Sequence, residues 1–430
     1  MTAALARELP RAARQGGLFL RLARVFLLLL ILTLPLEAIT AVREMALVGA
    51  ALFLAVHLWL TGESRFRPTV LVWPLALYVA SAAFSLLTAV DAGYSLGELR
   101  AEVLKGLIAF YLGVHFVREE EHLAQAWGGL LATAAVMAVF GVALFWQAGG
   151  SLLTHYVRAG SLHSGYGTFA TFLVTVWPFV LLAPRQWPGA RLRPLWIGLI
   201  ALCAFSGYLT FSRAAWVAML VELGLLAVLL SRRRLLTGVG FGAAGVCLVA
   251  ALLVLVPGAR HGERWQQLWE NPAQVGGTAG DLIAAWRHSL GEIADHPFRG
   301  IGLGRHSFSK AYPDFRARHQ PLLWHAHNMF IELALQIGVQ GLFAILWAFA
   351  ALVAVLWPHA PPRRGDAAGL FGLATAVMVV GFSVRNLADD FFVDDSALLF
   401  WLLAGLALGG RWLGRRGGEK NPWTPPRGGC

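Results

Sequence analysis

The chain has 430 residues, 57% of them hydrophobic and 14% charged, with a mean hydropathy of +0.62. A soluble domain carries about 25% charged residues, so that class is excluded. The net charge of +11 does not point to nucleic acid, because the basic residues recur between apolar runs instead of forming one stripe.

A basic segment, 1–21, carries Arg7, Arg11, Arg14 and Arg21 and leads into the first apolar run. That pattern also suits a signal peptide, but the length of the run and the many that follow favour a retained span. Runs of about 17 to 25 apolar residues are the length of a membrane-crossing helix, and the short alternating segments of a barrel are not seen. Hydropathy predicts spans at 22–42, 45–61, 68–89, 102–117, 123–147, 164–184, 194–211, 213–230 and 235–257. After a long polar segment come 328–357, 367–384 and 396–411, the first of these with a break near Gly338. The expectation is an all-α polytopic integral membrane protein of about twelve spans, nine in 22–257 and three in 328–411.

Charge bias orients them. Arg65, Arg67, Arg118, Arg185, Arg191, Arg193, Arg232 to Arg234, Arg363, Arg364 and the 412–430 tail fall on one side with the N-terminus. By the positive-inside rule that side is cytoplasmic. The 258–327 segment then faces outward, rich in Trp, His, Arg and Gly, with helices expected around 262–271 and 280–295. Loops longer than about 15 residues are often functional. Cys203 and Cys247 fall within spans and Cys430 ends the chain, which implies no disulfide framework or metal spacing.

The polar features that could carry chemistry cluster at the outer ends of the spans. Trp324-His325-Ala326-His327-Asn328, followed by Glu332, stands where the loop re-enters the membrane. Histidines at i and i+2 do not share a helix face, so no metal site is expected within a helix there. One imidazole could act as a general base with Asn328 holding it; the plainer reading is a helix cap. Ser212-Arg213-Ala214 lies at the junction of spans seven and eight. An arginine there costs free energy unless it is paired or wet, and its fork suits a pyrophosphate; the alternative is an arginine reaching to headgroups.

Further along, Arg158 and His163 precede span six with several hydroxyls. Arg385, Asn386, Asp389 and Asp390 end span eleven, near Asp394 and Asp395; an ion-pair network is the preferred reading of that group. Asp295 to Gly304 closes the loop with a glycine-rich turn, which alone is weak support for phosphate binding. Trp265, Trp269, Trp286 and Trp324 suit sugar stacking or interfacial anchoring. No Walker A sequence and no spaced D-x-D pair occurs, so neither ATP-driven transport nor a metal–nucleotide-sugar site finds support.

In order and placement these features resemble the lipopolysaccharide O-antigen ligase family, within a group that includes O-antigen polymerases and protein O-oligosaccharyltransferases. Ser212-Arg213-Ala214 resembles its arginine between spans seven and eight, and Pro297 to Gly304 its loop-ending Pro-x-x-Gly-x-Gly pattern. His325-Ala326-His327-Asn328 with Glu332 resembles its His-Asn motif. The resemblance implies a GT-C-like glycosyltransferase of the bacterial inner membrane, with no cofactor. It would move glycan from undecaprenyl pyrophosphate to lipid A–core at the periplasmic face. It implies His327, with His325 adjacent, and Arg213 as catalytic; beside it, the residues themselves offer His325, Asn328, Arg158, His163, Arg264, Arg287 and Arg385 as candidate substrate-binding groups. Where the family places another loop arginine, ahead of an aromatic matched by Trp286, this chain has Leu282; Arg287 and Arg264 are the candidate replacements. A polymerase or a protein O-oligosaccharyltransferase shares the logic, whereas a transporter or flippase predicts ionisable groups near the midplane.

Overall fold

A computed structural model describes residues 3–62, 67–153, 156–163, 165–231, 240, 278–318, 325–358 and 360–416. Apart from residue 240, the ninth expected span (235–257) lies outside the described residues, as do the expected helix at 262–271, Arg264, Trp265, Trp269, Trp324 and the 421–430 tail.

Among the described residues the protein is all-helical. The first half comprises α1 (Ala3–Thr33), α2 (Thr40–Leu60), α3 (Val72–Ser85), α4 (Ala92–Glu98), α5 (Lys105–Phe116), α6 (Glu120–Gln147), α7 (Tyr166–Gln186), α8 (Arg193–Leu209) and α9 (Arg213–Leu230). The loop contributes α10 (Thr278–Asp295), α11 (His306–Ala311) and α12 (Pro313–Arg318), and the end of the chain α13 (Met329–Leu356), α14 (Ala367–Arg385) and α15 (Asp394–Arg416). Eight described helical segments are long and apolar enough to cross a bilayer, and each coincides with an expected span. This is a multi-pass membrane protein.

The other expected spans differ in instructive ways. The first run lies on α1, which stops at Thr33 instead of 42. Pro35 follows, and a proline lacks the N–H that the next turn would need, so hydropathy alone overruns the turn. The third run shrinks to the 14 residues of α3, about 21 Å of helix and short of the ~30 Å hydrocarbon core. The fourth begins earlier than expected: α4, a π-helical turn at Leu99–Leu104 and α5 form one helical run.

α7, α14 and α15 are the most enclosed spans, whereas α2 and α8 turn much of their surface outward. In a bilayer apolar burial discriminates poorly between neighbours, so close helix contacts depend on small residues. α5 and α15 illustrate this. A Cβ added at Gly113 would fall 2.6 Å from the Leu406 amide nitrogen, and one at Gly405 would collide with the Phe110 carbonyl oxygen. Gly405→Leu is expected to cost about 3 kcal/mol or more, the upper end of overpacking, because a backbone carbonyl cannot rotate aside. A thermal unfolding midpoint equal to wild type in detergent would contradict that packing.

The break near Gly338 is present inside α13, where this residue has φ 79° and ψ 166°. Glycine adopts this conformation without a Cβ clash. The break frees backbone groups that the loop then satisfies. Ile301 N donates to Leu335 O (3.0 Å), Gly302 N to Gln336 O (3.1 Å), and Val339 N to Pro297 O (2.9 Å). A glycine is required at 300 as well, since a Cβ there would strike the Gln336 carbonyl. The Pro297–Gly304 turn is thus pinned to the broken helix, close to the His-Asn motif.

Candidate active site

The site is built at the start of α13. Asn328 caps the helix, its Oδ1 accepting from Phe330 N (3.0 Å) and Ile331 N (3.2 Å), which satisfies two amides that a helix start otherwise leaves open. Its Nδ2 donates to Leu387 O (2.9 Å). Met329 N donates to Asn386 O and Asp389 O (3.1 and 3.0 Å). The cap therefore joins the His-Asn motif to the connection between α14 and α15, across about sixty residues of sequence.

His327 has a left-handed backbone, φ 51°. That conformation is uncommon without glycine and costs of order 1–3 kcal/mol. What it achieves is a turn that lays the two imidazoles against each other, with ring centroids 3.8 Å apart. The i, i+2 argument against joint action holds inside a helix, but both histidines precede the helix.

The hydrogen bonds assign the protons. His327 N donates to His325 Nδ1 (3.1 Å), so the neutral His325 ring carries its hydrogen on Nε2. His327 Nδ1 lies 3.2 Å from Asp389 Oδ1. Burial alone would push the Asp389 carboxyl up, but the His327 hydrogen bond and the Arg385 charge outweigh it and hold it well below the usual range. Asp389 is therefore an anion that accepts from Nδ1–H, which puts the basic lone pair of the neutral His327 ring on Nε2. Asp389 Oδ2 is also 3.7 Å from Arg385 Nη2.

Glu332 reaches back one turn, its Oε2 accepting from Ala326 N (2.6 Å) and its Oε1 from Gln336 Nε2 (2.7 Å). Gln336 Oε1 accepts from Gly304 N (3.0 Å). Trp286 Nε1 donates to Ala326 O (2.8 Å). The residue between the two histidines is thus clamped from both sides by α10 and α13.

His325 is nearly fully buried, and burial, with His327 and Arg305 adding to it, holds its pKa well below 6.5. It is neutral at pH 7. A depressed folded pKa means that the unfolded chain takes up a proton first as pH falls. The stability tied to neutral His325 is complete above about pH 6.5 and is lost as pH drops from there toward the folded value. Replacing His325 with Gln, which accepts without titrating, is expected to flatten the fall in unfolding midpoint between pH 7.5 and 5. Parallel wild-type and variant curves would show that the ring does not titrate in this way.

Arg305 was not among the residues singled out in the sequence, yet it is part of the site. Its guanidinium donates to the Asp390 carbonyl, and its Nε lies 4.0 Å from Asp390 Oδ2. Phe391 separates it from Arg385, with the guanidinium carbons 5.6 and 4.5 Å from the ring centroid, within cation–π range. The only sequence signal was its position directly after Gly304. Asp389 was read as a member of an ion-pair network; it is that, and it is also the partner of His327.

The other expected residues divide. Arg158 lies over the Tyr166 ring at 4.4 Å, and the next residue, Gly167, has room only for a hydrogen against Phe391. That connects Arg158 to the arginine–Phe391 group. Ala159 N donates to Leu209 O (2.9 Å), which draws the Arg158 loop to the turn that ends in Arg213. Arg213 itself is exposed at the first position of α9. Arg287 is exposed on α10, next to the anchoring Trp286, and Leu282 is half-buried. His163 sits against Phe169 and Phe172, and burial pulls its pKa down to about 4. It is a neutral packing residue in this arrangement.

His325, His327 and Asp389 each offer one ligand-type atom, all within 4.8 Å of one another. In residue type this set could hold a transition metal. Here His325 Nδ1 and His327 Nδ1 are occupied by hydrogen bonds, so a cation would compete with the very contacts that orient the pair.

Among the described residues, four that are not glycine have left-handed backbones: Ser161, Phe211, His327 and Asp394. Each lies in the turn before, or at the first residue of, one of α7, α9, α13 and α15. Strain of this kind collects at functional sites, and here it marks the same set of turns that carry Arg158, Arg213, His327 and Asp389.

No curated protein matches the chain. Residues 198–346, from α8 through the loop to the first half of α13, match the family model described as O-antigen ligase. Arg213, the Pro297–Gly304 turn, Arg305, the histidines and Glu332 all fall within that stretch, so the part of the chain that is similar to the O-antigen ligase family is the part that carries most of the site.

Proposed function

We propose that the protein transfers glycan from undecaprenyl pyrophosphate to a sugar hydroxyl of lipid A–core at the periplasmic face of the bacterial inner membrane. The observation that carries this reading is His327, hydrogen-bonded to Asp389 through Nδ1 and so oriented to use Nε2 as a base. In this scheme Nε2 takes the acceptor hydroxyl proton as the oxygen attacks the anomeric carbon from the face opposite the leaving group. The new C–O bond forms as the C–O bond to pyrophosphate breaks, and undecaprenyl pyrophosphate departs with that electron pair. Asp389 stabilises the imidazolium, which then releases its proton to water. The outcome is inversion, with no step assigned to a metal.

Arg213 and Arg158 receive the leaving group in this scheme. Charge develops there in the transition state, and preorganised cations at such positions are among the larger catalytic contributions. Arg385 is already committed to Asp389 and acts on the donor only indirectly. The proposal includes twelve spans in a GT-C-like arrangement with both termini cytoplasmic. It is supported by the charge bias of the connections and by parity, which places the turns bearing Arg158, Arg213, His327 and Asp389 on the opposite side.

The test is transfer in proteoliposomes supplied with lipid-linked glycan and lipid A–core. Glycan covalently attached to lipid A–core is expected. A lengthened lipid-linked glycan instead would make the protein a polymerase, and movement without a new bond would make it a transporter. Arg213→Ala, at equal protein level, is expected to reduce transfer by about 10²-fold; undiminished transfer would remove it from the leaving-group role.

A further inference from the structure

Arg305, Glu332 and Gln336, already met in the site, also wall a cavity of about 310 Å³ to which no substrate has yet been assigned. Its walls come from four parts of the chain: α3–α4 and the π-helical turn, the end of the glycine-rich loop, the first turns of α13, and the 390–394 segment. Resting on the transfer reading above, we infer that this cavity is the acceptor subsite and that it takes an unphosphorylated sugar ring, held through neighbouring hydroxyls.

Size and lining agree. Pockets for small ligands begin at about 300 Å³, the scale of a single sugar ring. Tyr94, Glu98, Glu102 and Asp394 face the cavity with Arg305 and His306. Carboxyl and phenol oxygens accept hydrogen bonds from hydroxyl donors, and one carboxyl group can accept from two adjacent hydroxyls. The Tyr94 ring adds an aromatic face of the kind that packs on a sugar. A pyrophosphate is a poor match, because it would meet the carboxyl groups of Glu98, Glu102, Asp390 and Asp394, while Arg305 is already bonded to Asp390. The lining thus separates the substrates: the carrier pyrophosphate to Arg213 and Arg158, the sugar acceptor to the side rich in hydrogen-bond acceptors.

The backbone is shaped around this space in ways packing alone does not demand. Glu102 is on a π-helical turn, a rare form frequent at functional sites, and both its oxygens accept from Asp394 N (3.0 and 2.8 Å). Asp394 is left-handed, and Gly302 and Gly304 have φ of 103° and 111°. A Cβ on Gly304 would lie 2.7 Å from the Tyr94 hydroxyl. The cavity also adjoins the base. Arg305 and His306, both on its wall, are near enough to His325 to depress its pKa, and Glu332 spans from the cavity to the Ala326 amide.

Two measurements on the full-length protein in detergent or proteoliposomes test this. In the transfer assay, Glu98→Gln and Tyr94→Phe are expected to raise KM for lipid A–core about tenfold, the effect of losing one hydrogen bond to a charged or phenolic partner. KM for the lipid-linked donor should stay within about twofold of wild type, since the donor pyrophosphate is assigned to Arg213 and Arg158, which do not line the cavity. A rise in donor KM with acceptor KM unchanged, or no change in either for both variants, overturns the assignment. The second measurement is direct binding of a core oligosaccharide released from lipid A and stripped of phosphate. Wild type should bind it, and Glu98→Gln should bind it at least about tenfold more weakly while unfolding at the wild-type temperature. Equal affinity, or preference for the phosphorylated oligosaccharide, overturns it. If lipid A–core is not an acceptor in turnover yet the oligosaccharide binds and loses affinity in Glu98→Gln, the ligase reading fails and the sugar subsite stands.

Discussion

Replacing His327 with alanine is expected to lower glycan transfer by about 10²–10⁴-fold, the usual contribution of a positioned general base, with little change in the amount of folded protein. The side chain is part-exposed and the local framework does not depend on it: Asn328 still caps α13, and Ala326 N still reaches Glu332. The backbone strain at φ 51° remains, so His327→Asn, a residue at ease in that conformation, gives a cleaner control for folding. Steady-state kinetics in proteoliposomes should show the loss in kcat, with donor KM nearly constant, because a base acts in the transition state and not in binding. Full activity in a properly inserted variant would exclude His327 as the base.

Arg385→Met is expected to be the most damaging single change at the site. The guanidinium is 3% exposed, sits 3.7 Å from Asp389 and stacks on Phe391 at 4.5 Å. Removing one partner of a buried pair leaves an uncompensated charge and costs about 3–5 kcal/mol. Asp389 retains 25% exposure and His327, so the lower end of that range, about 3 kcal/mol, is expected. The effect on chemistry follows from the same contact. Without Arg385 the Asp389 carboxylate is less firmly held as an anion, and it orients His327 less well. Transfer should fall together with the unfolding midpoint. The double variant with Asp389→Asn should be more stable than Arg385→Met alone, because the stranded charge is gone; a double variant no more stable than the single would deny the coupling.

These two residues also show how differently parts of the site could be read from the chain. His327 stood out locally, as one of two histidines beside a helix-capping asparagine at the border of an apolar run. Its dependence on Asp389 did not, because the pair is separated by 62 residues and no periodicity links them. The i, i+2 spacing suggested rings pointing apart, and a left-handed backbone at His327 brought them together. Propensity cannot anticipate that conformation in a non-glycine residue, since it is unfavourable locally and is imposed by the contacts around it. Arg305 is inconspicuous in the sequence for a similar reason. It reads as an ordinary loop cation until the Gly338 break frees the carbonyls that pin its loop to α13.

The membrane class followed from composition and run length, and the break at Gly338 from one glycine in an unusually long run. Both depend on local, short-range physics: the hydrocarbon thickness and the absence of a Cβ. Span boundaries were less legible wherever a proline, a short helix or a π-helical turn intervened, as at Pro35, α3 and Leu99–Leu104. Sequence alone thus determined a helical membrane protein whose polar chemistry collects at the ends of its spans, because burying uncharged helices in lipid is the dominant free-energy term and is written residue by residue. Only the tertiary structure decided which of those ends meet, that Asp389 orients His327, that Arg305 joins them, and that a carboxyl-lined cavity opens alongside. Those contacts depend on helix packing through small residues and on hydrogen bonds between distant turns, neither of which leaves a periodic trace in the chain.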